Sequence, residues 1–157
     1  MAAIDLLMQQ HREAEALFER LRTNPESDKV ALLGRLTEAL TLHAALEEQF
    51  VYPLLRAHGL EGEVIRSLHE HDEMKRLISE ILSMKRRDPR LGTVTAQLEE
   101  VVQRHVAEEE RTVLPALRER VDAAALEDAE ARMRSAMQRL EQGGLLEAAD
   151  EQQPPAV

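Results

Sequence analysis

The sequence repeats itself. His43-Ala-Ala-Leu-Glu47-Glu48-Gln-Phe-Val51-Tyr52-Pro53-Leu-Leu55-Arg56 returns 62 residues later as His105-Val-Ala-Glu-Glu109-Glu110-Arg-Thr-Val113-Leu114-Pro115-Ala-Leu117-Arg118. His, both Glu, Val, Pro, Leu and Arg coincide in register. A weaker pair precedes each copy: His11-Arg-Glu13-Ala-Glu-Ala-Leu17-Phe18 aligns with His71-Asp-Glu73-Met-Lys-Arg-Leu77-Ile78 at an offset of 60. The unit is therefore a helix with one His followed by a helix with His-x-x-x-Glu, present twice. An internal repeat constrains architecture before any other signal, because equivalent segments take equivalent places.

Apolar residues recur at helical spacing throughout. Five helices are expected, at about 2–22, 28–57, 61–87, 90–120 and 123–142. The stripes are Ile4, Leu7, Ala14, Phe18 and Leu21; then Leu33, Leu36, Leu40, Phe50 and Leu54; then Val64, Leu68, Ile78 and Leu82; then Leu91, Val94, Leu98, Val101, Thr112 and Ala116. Lys75 also falls on the third stripe. Asp28 reads as a cap, Pro53 as a kink in the last turn of its helix, and His58-Gly59 as a stop. Lys85, Arg86 and Arg87 are expected in the last turn of the third helix, where the dipole favours cations. Asp122 caps the last helix, whose Leu126, Ala129, Met133, Met137 and Leu140 pack on the outside or mediate association. Short connections between long amphipathic helices imply an antiparallel up-down-up-down four-helix bundle with an additional C-terminal helix. The expected organisation is a metal-binding bundle over 1–121, an accessory helix over 122–143 and a disordered tail over 144–157.

Each His falls inside its apolar stripe, and the heights agree. His11 is 12 residues before Thr23 and His43 is 15 after Asp28; Glu47 and His71 each lie 12 residues from Gly59; His71 and His105 each lie 17 from Asp88. In an antiparallel bundle equal distances from a shared turn mean equal height. Residues i and i+4 stack on one face, so His11, His43, Glu47, His71, His105 and Glu109 converge in one interior layer. A single His on an apolar face is ordinarily a hydrogen-bonded core residue. Two buried Glu are different, because an unpaired buried carboxylate costs several kcal/mol or is neutralised. A metal pair compensates both. Imidazole and carboxylate without sulfur suit Fe, Mn, Zn, Ni or Cu. Six ligands exceed the need of one tetrahedral zinc and fit two metals with two bridging carboxylates, as in di-iron and di-manganese bundle cores.

These residues resemble the hemerythrin-like family, the HHE cation-binding domains. The shared pattern is His, His-x-x-x-Glu, His, His-x-x-x-Glu on four successive helices, with the Glu-Glu and Pro-Leu-Leu context downstream, over about residues 4–120. The resemblance implies a left-handed four-helix bundle with a non-haem di-iron centre: two iron ions, oxo- or hydroxo-bridged, with Mn or Zn as the less expected metals. It implies His11, His43, Glu47, His71, His105 and Glu109 as ligands, Glu47 and Glu109 bridging. The oxygen-carrying hemerythrins have a fifth His one turn after the His of the third helix, and this chain has Lys75 there. That departure leaves a coordination position open and favours reactivity or sensing over reversible oxygen carriage. Glu48, Glu108 and Glu110 are further candidates to fill it. Tyr52 faces away from His43 in a straight helix, and only a distortion at Pro53 would bring it in. His69 is rotated about 160° from His71 and is expected in an outer or surface position, with His58 solvated at its turn.

The expected function is binding of, or reaction with, O2, NO or peroxide, with catalase- or peroxidase-like turnover as a possible activity. The alternative is a non-enzymatic iron-binding module for sensing, storage or donation. A net charge of −10 argues against nucleic acid, whose phosphates demand a basic face. No apolar run reaches the ~20 residues of a membrane span, and the N-terminus has no basic segment of the signal-peptide kind. With no cysteine, disulfides and thiolate ligands are excluded. The expectation is a cytoplasmic monomer or homodimer.

Overall fold

In the computed structural model, residues 2–24 and 26–143 are described; the expected tail at 144–157 lies outside them. All regular structure among the described residues is helical. Helix α1 (Ala2–Thr23) is followed by α2 (Glu26–Leu46), which runs without a break through a π-helical turn, π1 (Glu47–Val51), into α3 (Tyr52–Ala57). Helix α4 (Glu61–Ser83) comes next. Then α5 (Leu91–Glu108), π2 (Glu109–Val113) and α6 (Leu114–Arg120) form a second continuous rod, and α7 (Ala123–Gly143) ends the fold. α1 packs on α2, α4 on α5, and α7 along α1, giving the four-helix bundle with its additional C-terminal helix.

The connections follow local chemistry. The first rod closes with Gly59 at φ 80°, a left-handed position that a Cβ disfavours. Leu60 N–H bonds Leu55 O at 2.9 Å and Gly59 N–H bonds Arg56 O at 3.2 Å, the paired bonds of a Schellman ending. Asp122 accepts from Ala125 N–H at 2.8 Å and caps α7 as expected. Two expected ends differ. Asp28 lies within α2, not before it. Helix α4 stops at Ser83, with Met84 extended (ψ 144°), so Lys85, Arg86 and Arg87 belong to the connection. That connection is built from tight turns, Asp88 N–H to Lys85 O and Leu91 N–H to Asp88 O, and the Asp88 carboxylate clamps Arg90.

The two π turns are the main departure from the expected periodicity. Proline lacks an N–H, and its ring clashes with the carbonyl four residues back. Pro53 and Pro115 therefore cannot continue an α ladder through Gln49 and Arg111. The backbone answers with i→i−5 bonds: Tyr52 N–H to Glu47 O and Leu114 N–H to Glu109 O. Each wider turn shifts the buried stripe by one residue. Leu55 and Leu117 are buried where Leu54 and Ala116 were expected, Val113 replaces Thr112, and Tyr52 turns inward to 1% exposure.

The apolar interior is divided into two clusters. One contains Ile4, Leu7, Leu46, Tyr52, Leu55, Val64 and Leu117, and extends over Leu126, Ala129 and Met133 of α7. The other contains Ala14, Phe18, Leu36, Met74, Leu77, Leu98 and Val101. Along each rod the expected polar residues lie between them. No helix among the described residues is long and apolar enough to cross a membrane.

Candidate metal centre

The structure brings all six expected residues together, and all six are buried: His11, His43, Glu47, His71, His105 and Glu109. Their potential ligand atoms fall into two groups, each within 4.8 Å of one another. His11, His43, Glu47 and Glu109 form one; Glu47, His71 and His105 form the other. Glu47 belongs to both. Its Oε1 is 2.9 Å from His43 Nε2, and its Oε2 lies 3.0 Å from His71 Nε2 and 3.5 Å from His105 Nε2. Glu109 Oε2 lies 3.1 Å from His11 Nε2 and 3.6 Å from His105 Nε2. Every imidazole turns Nε2 inward, onto two carboxylates that reach across the layer.

Every Nδ1 faces outward and has its own partner. His11 Nδ1 lies 2.9 Å from Glu110 Oε1. His43 Nδ1 lies 2.8 Å from Gln10 Oε1. His71 Nδ1 lies 2.9 Å from Glu48 Oε1, and His105 Nδ1 lies 3.4 Å from Glu70 Oε1. The carboxylates are anchored in turn, Glu110 by Arg12, Glu48 by Lys75 at 2.8 Å, and Glu70 by Arg66 and Arg104, each at 3.7 Å. An acceptor on Nδ1 directs the Nε2 lone pair toward the layer and strengthens it as a ligand.

These contacts correct several expectations. Glu48 and Glu110 orient histidines and do not enter the layer. Glu108 bonds Arg66, Arg111 and Thr112 at the surface. Lys75 is half-exposed and turned toward Glu48, off the interior stripe where its spacing placed it. His69 is exposed, as expected of a surface position, while His58, expected solvated, is half-buried with Nδ1 donating to Leu54 O at 2.8 Å. Tyr52 reverses the straight-helix expectation. Its hydroxyl donates to Glu47 Oε2 at 3.0 Å and lies 3.1 Å from His71 Nε2. Gln10 and Glu70 were not anticipated. The signal was available, since each immediately precedes a His and the two coincide at the same offset of 60. Each, however, serves a His on the neighbouring rod.

The electrostatics describe a cation site. Burial alone would raise the Glu47 pKa, but the charge of His43 and hydrogen bonds from the surrounding histidines hold it well below the carboxylate range. Burial and then the Glu47 charge push Glu109 up. Burial disfavours charge on His11, His71 and His105, yet their carboxylate contacts outweigh it and raise all three. The carboxylates thus favour the protonated form of these three imidazoles. Burial, followed by the Glu47 and Glu109 charges, pushes the Tyr52 phenol far upward. Compensation stays incomplete: His43 Nε2, Glu47 Oε1 and Glu109 Oε1 are buried without a hydrogen bond. Two of these atoms face each other at 2.9 Å. Buried polar atoms outside hydrogen-bond geometry are costly in a native core, and a cation held in the layer would engage them.

A helical bundle with a buried, doubled His/carboxylate layer belongs to the class of cation-binding bundles. The hemerythrin HHE cation-binding domain model matches residues 2–117, and the chain belongs to that family. A DNA nickase of Nostoc sp. is 28% identical over 139 residues, 88% of this chain and 40% of the relative. An uncharacterized hemerythrin-like protein of Schizosaccharomyces pombe is 26% identical over 117 residues, 72% of this chain and 58% of the relative. The chain thus spans about half the length of these relatives. The crystal structure of a hemerythrin HHE cation-binding domain-containing protein of Mycobacterium kansasii, a homolog of Rv2633c, superposes with a TM-score of 0.75. The match has 23% identity and covers 94% of this chain and 97% of the other, a likeness of fold.

Proposed function

We propose that the layer holds two iron ions, and that the loaded centre binds or reacts with O2, NO or peroxide. His11 and His43 serve one position, His71 and His105 the other, and Glu47 and Glu109 span both. The observation that carries this reading is the pair of buried His/carboxylate groups that share Glu47, each with its potential ligand atoms within 4.8 Å of one another. Bound iron would supply the redox chemistry and accept the small ligand. The chain's own part is orientation and exclusion. Four Nδ1 partners fix the imidazole planes, the two apolar clusters keep bulk water out, and the Tyr52 hydroxyl donates a hydrogen bond to Glu47 Oε2. A cavity of about 20 Å³ adjoins the layer, lined by His11, His43 and His105 and by Ala14, Leu40 and Val102. That volume suits a ligand the size of one water, which favours diatomics and peroxide over larger substrates.

Anaerobic iron loading, metal analysis and a visible/near-UV spectrum test this reading. Two irons per chain and an absorbing centre are expected; a colourless, metal-free product would overturn it. Oxygen evolution on adding peroxide separates turnover from the second reading, an iron-sensing, storage or donating module. DNA recognition is not carried over from the Nostoc relative, because a net charge of −10 opposes a phosphate backbone.

A further inference from the structure

The two halves of the centre are copies, and two of their differences bear directly on its histidines. Gln10 and Glu70 are equivalent under the repeat, as are Tyr52 and Leu114. In the second half, His105 Nδ1 is held by the Glu70 carboxylate. In the first, His43 Nδ1 is held by the neutral amide oxygen of Gln10. The other two imidazoles both have carboxylate partners, Glu110 and Glu48. Of the four histidines, only His43 lacks an anion on Nδ1. It is also the most exposed, its side chain at 8% against 0–2% for the others. Tyr52 sits beside His71 and adds an oxygen there, whereas Leu114 adds only carbon.

Both differences act in one direction. An anionic partner makes imidazole a stronger donor than an amide does, and outer partners of this kind are typically worth ten- to a hundredfold in metal affinity. The carboxylates are shared but not evenly: Glu47 groups with both pairs of histidines, whereas Glu109 groups with His11 and His43 and lies 3.6 Å from His105. We propose that the outer partners outweigh this difference and that Gln10 is a positioning residue that makes the two metal positions unequal: the His71/His105 position fills first, and the His11/His43 position is the labile one. This rests on the two-metal reading above.

Titration of the metal-free full chain with Co(II), followed by visible absorption with a competing chelator, tests it. Two equivalents in two resolved steps are expected. Gln10→Glu, at a partly buried site, should strengthen the weaker step about tenfold or more and close the gap. Gln10→Leu should weaken that step, and Glu70→Gln should weaken the stronger one. A merely structural residue would not move the weaker step in opposite directions while the unfolding midpoint of the metal-free chain stays in place. His43→Ala should erase the weaker step and spare the stronger. Two equivalents with indistinguishable constants, a gap unmoved by Gln10→Glu, or loss of the stronger step in His43→Ala would overturn the inequality and leave the two-metal site standing. Fewer than two equivalents in the unmodified chain would overturn the two-metal reading itself.

Discussion

Tyr52→Phe deletes one oxygen and keeps the ring. That hydroxyl donates to Glu47 Oε2 at 3.0 Å in a fully buried setting. It also meets His71 Nε2 at 3.1 Å, while His71 Nδ1 faces Glu48. A hydrogen bond to a charged group contributes about 1.5–3 kcal/mol, and a buried acceptor left without its donor loses most of that. Metal-free Tyr52→Phe should therefore be about 2 kcal/mol less stable than the parent. For a chain of this size that corresponds to a Tm lowered by roughly 4–8 °C. Once metal takes up the Glu47 oxygens, the lost donor matters less, so the penalty should shrink in the loaded protein. Thermal unfolding of parent and variant, each metal-free and metal-loaded, reads both quantities. Equal stability of the metal-free pair would refute the role of the hydroxyl. An undiminished penalty after loading would refute the placement of Glu47 at the cation.

Glu47→Ala and Glu109→Ala should each abolish binding of two metals, measured as metal per chain after anaerobic loading; unchanged stoichiometry refutes the spanning role. Metal affinity should fall as pH drops, and from a higher pH than free imidazole would require, because His11, His71 and His105 hold their protons above the ordinary value and a metal must displace them. The metal-free chain should show the opposite trend: raised imidazole pKa values contribute stability fully below about 6.5 and lose it as pH rises through the folded values. Urea titrations from pH 5.5 to 8.5, with and without metal, read both signs. Met133→Ala on α7 empties a fully buried position and should cost about 2–5 kcal/mol, read by urea unfolding; a loss under 1 kcal/mol would mean α7 is not seated in the core.

The bundle was legible because duplication and 3.6-residue periodicity are local properties. They placed four helices, a fifth after Asp122, and six polar residues at one height. Height survives errors of a few residues at helix ends, so the early stop of α4 at Ser83 did not disturb the layer. Facing is less forgiving. One residue is 100° of rotation, and a single π turn before each proline was enough to bring Tyr52 in and replace Leu54 by Leu55. Proline made a distortion foreseeable there, but not its sign. Lys75 illustrates the same limit from the outside: on the interior stripe by spacing, it stays half-exposed with its ammonium on Glu48.

The sequence by itself determined which residues could form a centre, how many there are and that they share a layer, since these depend only on residue type and rise per residue. The tertiary structure decided which atoms meet. That His43 leans on Gln10 and His105 on Glu70, and that Glu47 reaches His43 with one oxygen and His71 with the other, depends on helix pairing and ring orientation. Hydrogen bonds and metal contacts act over about 3 Å, and only packed helices place atoms that finely.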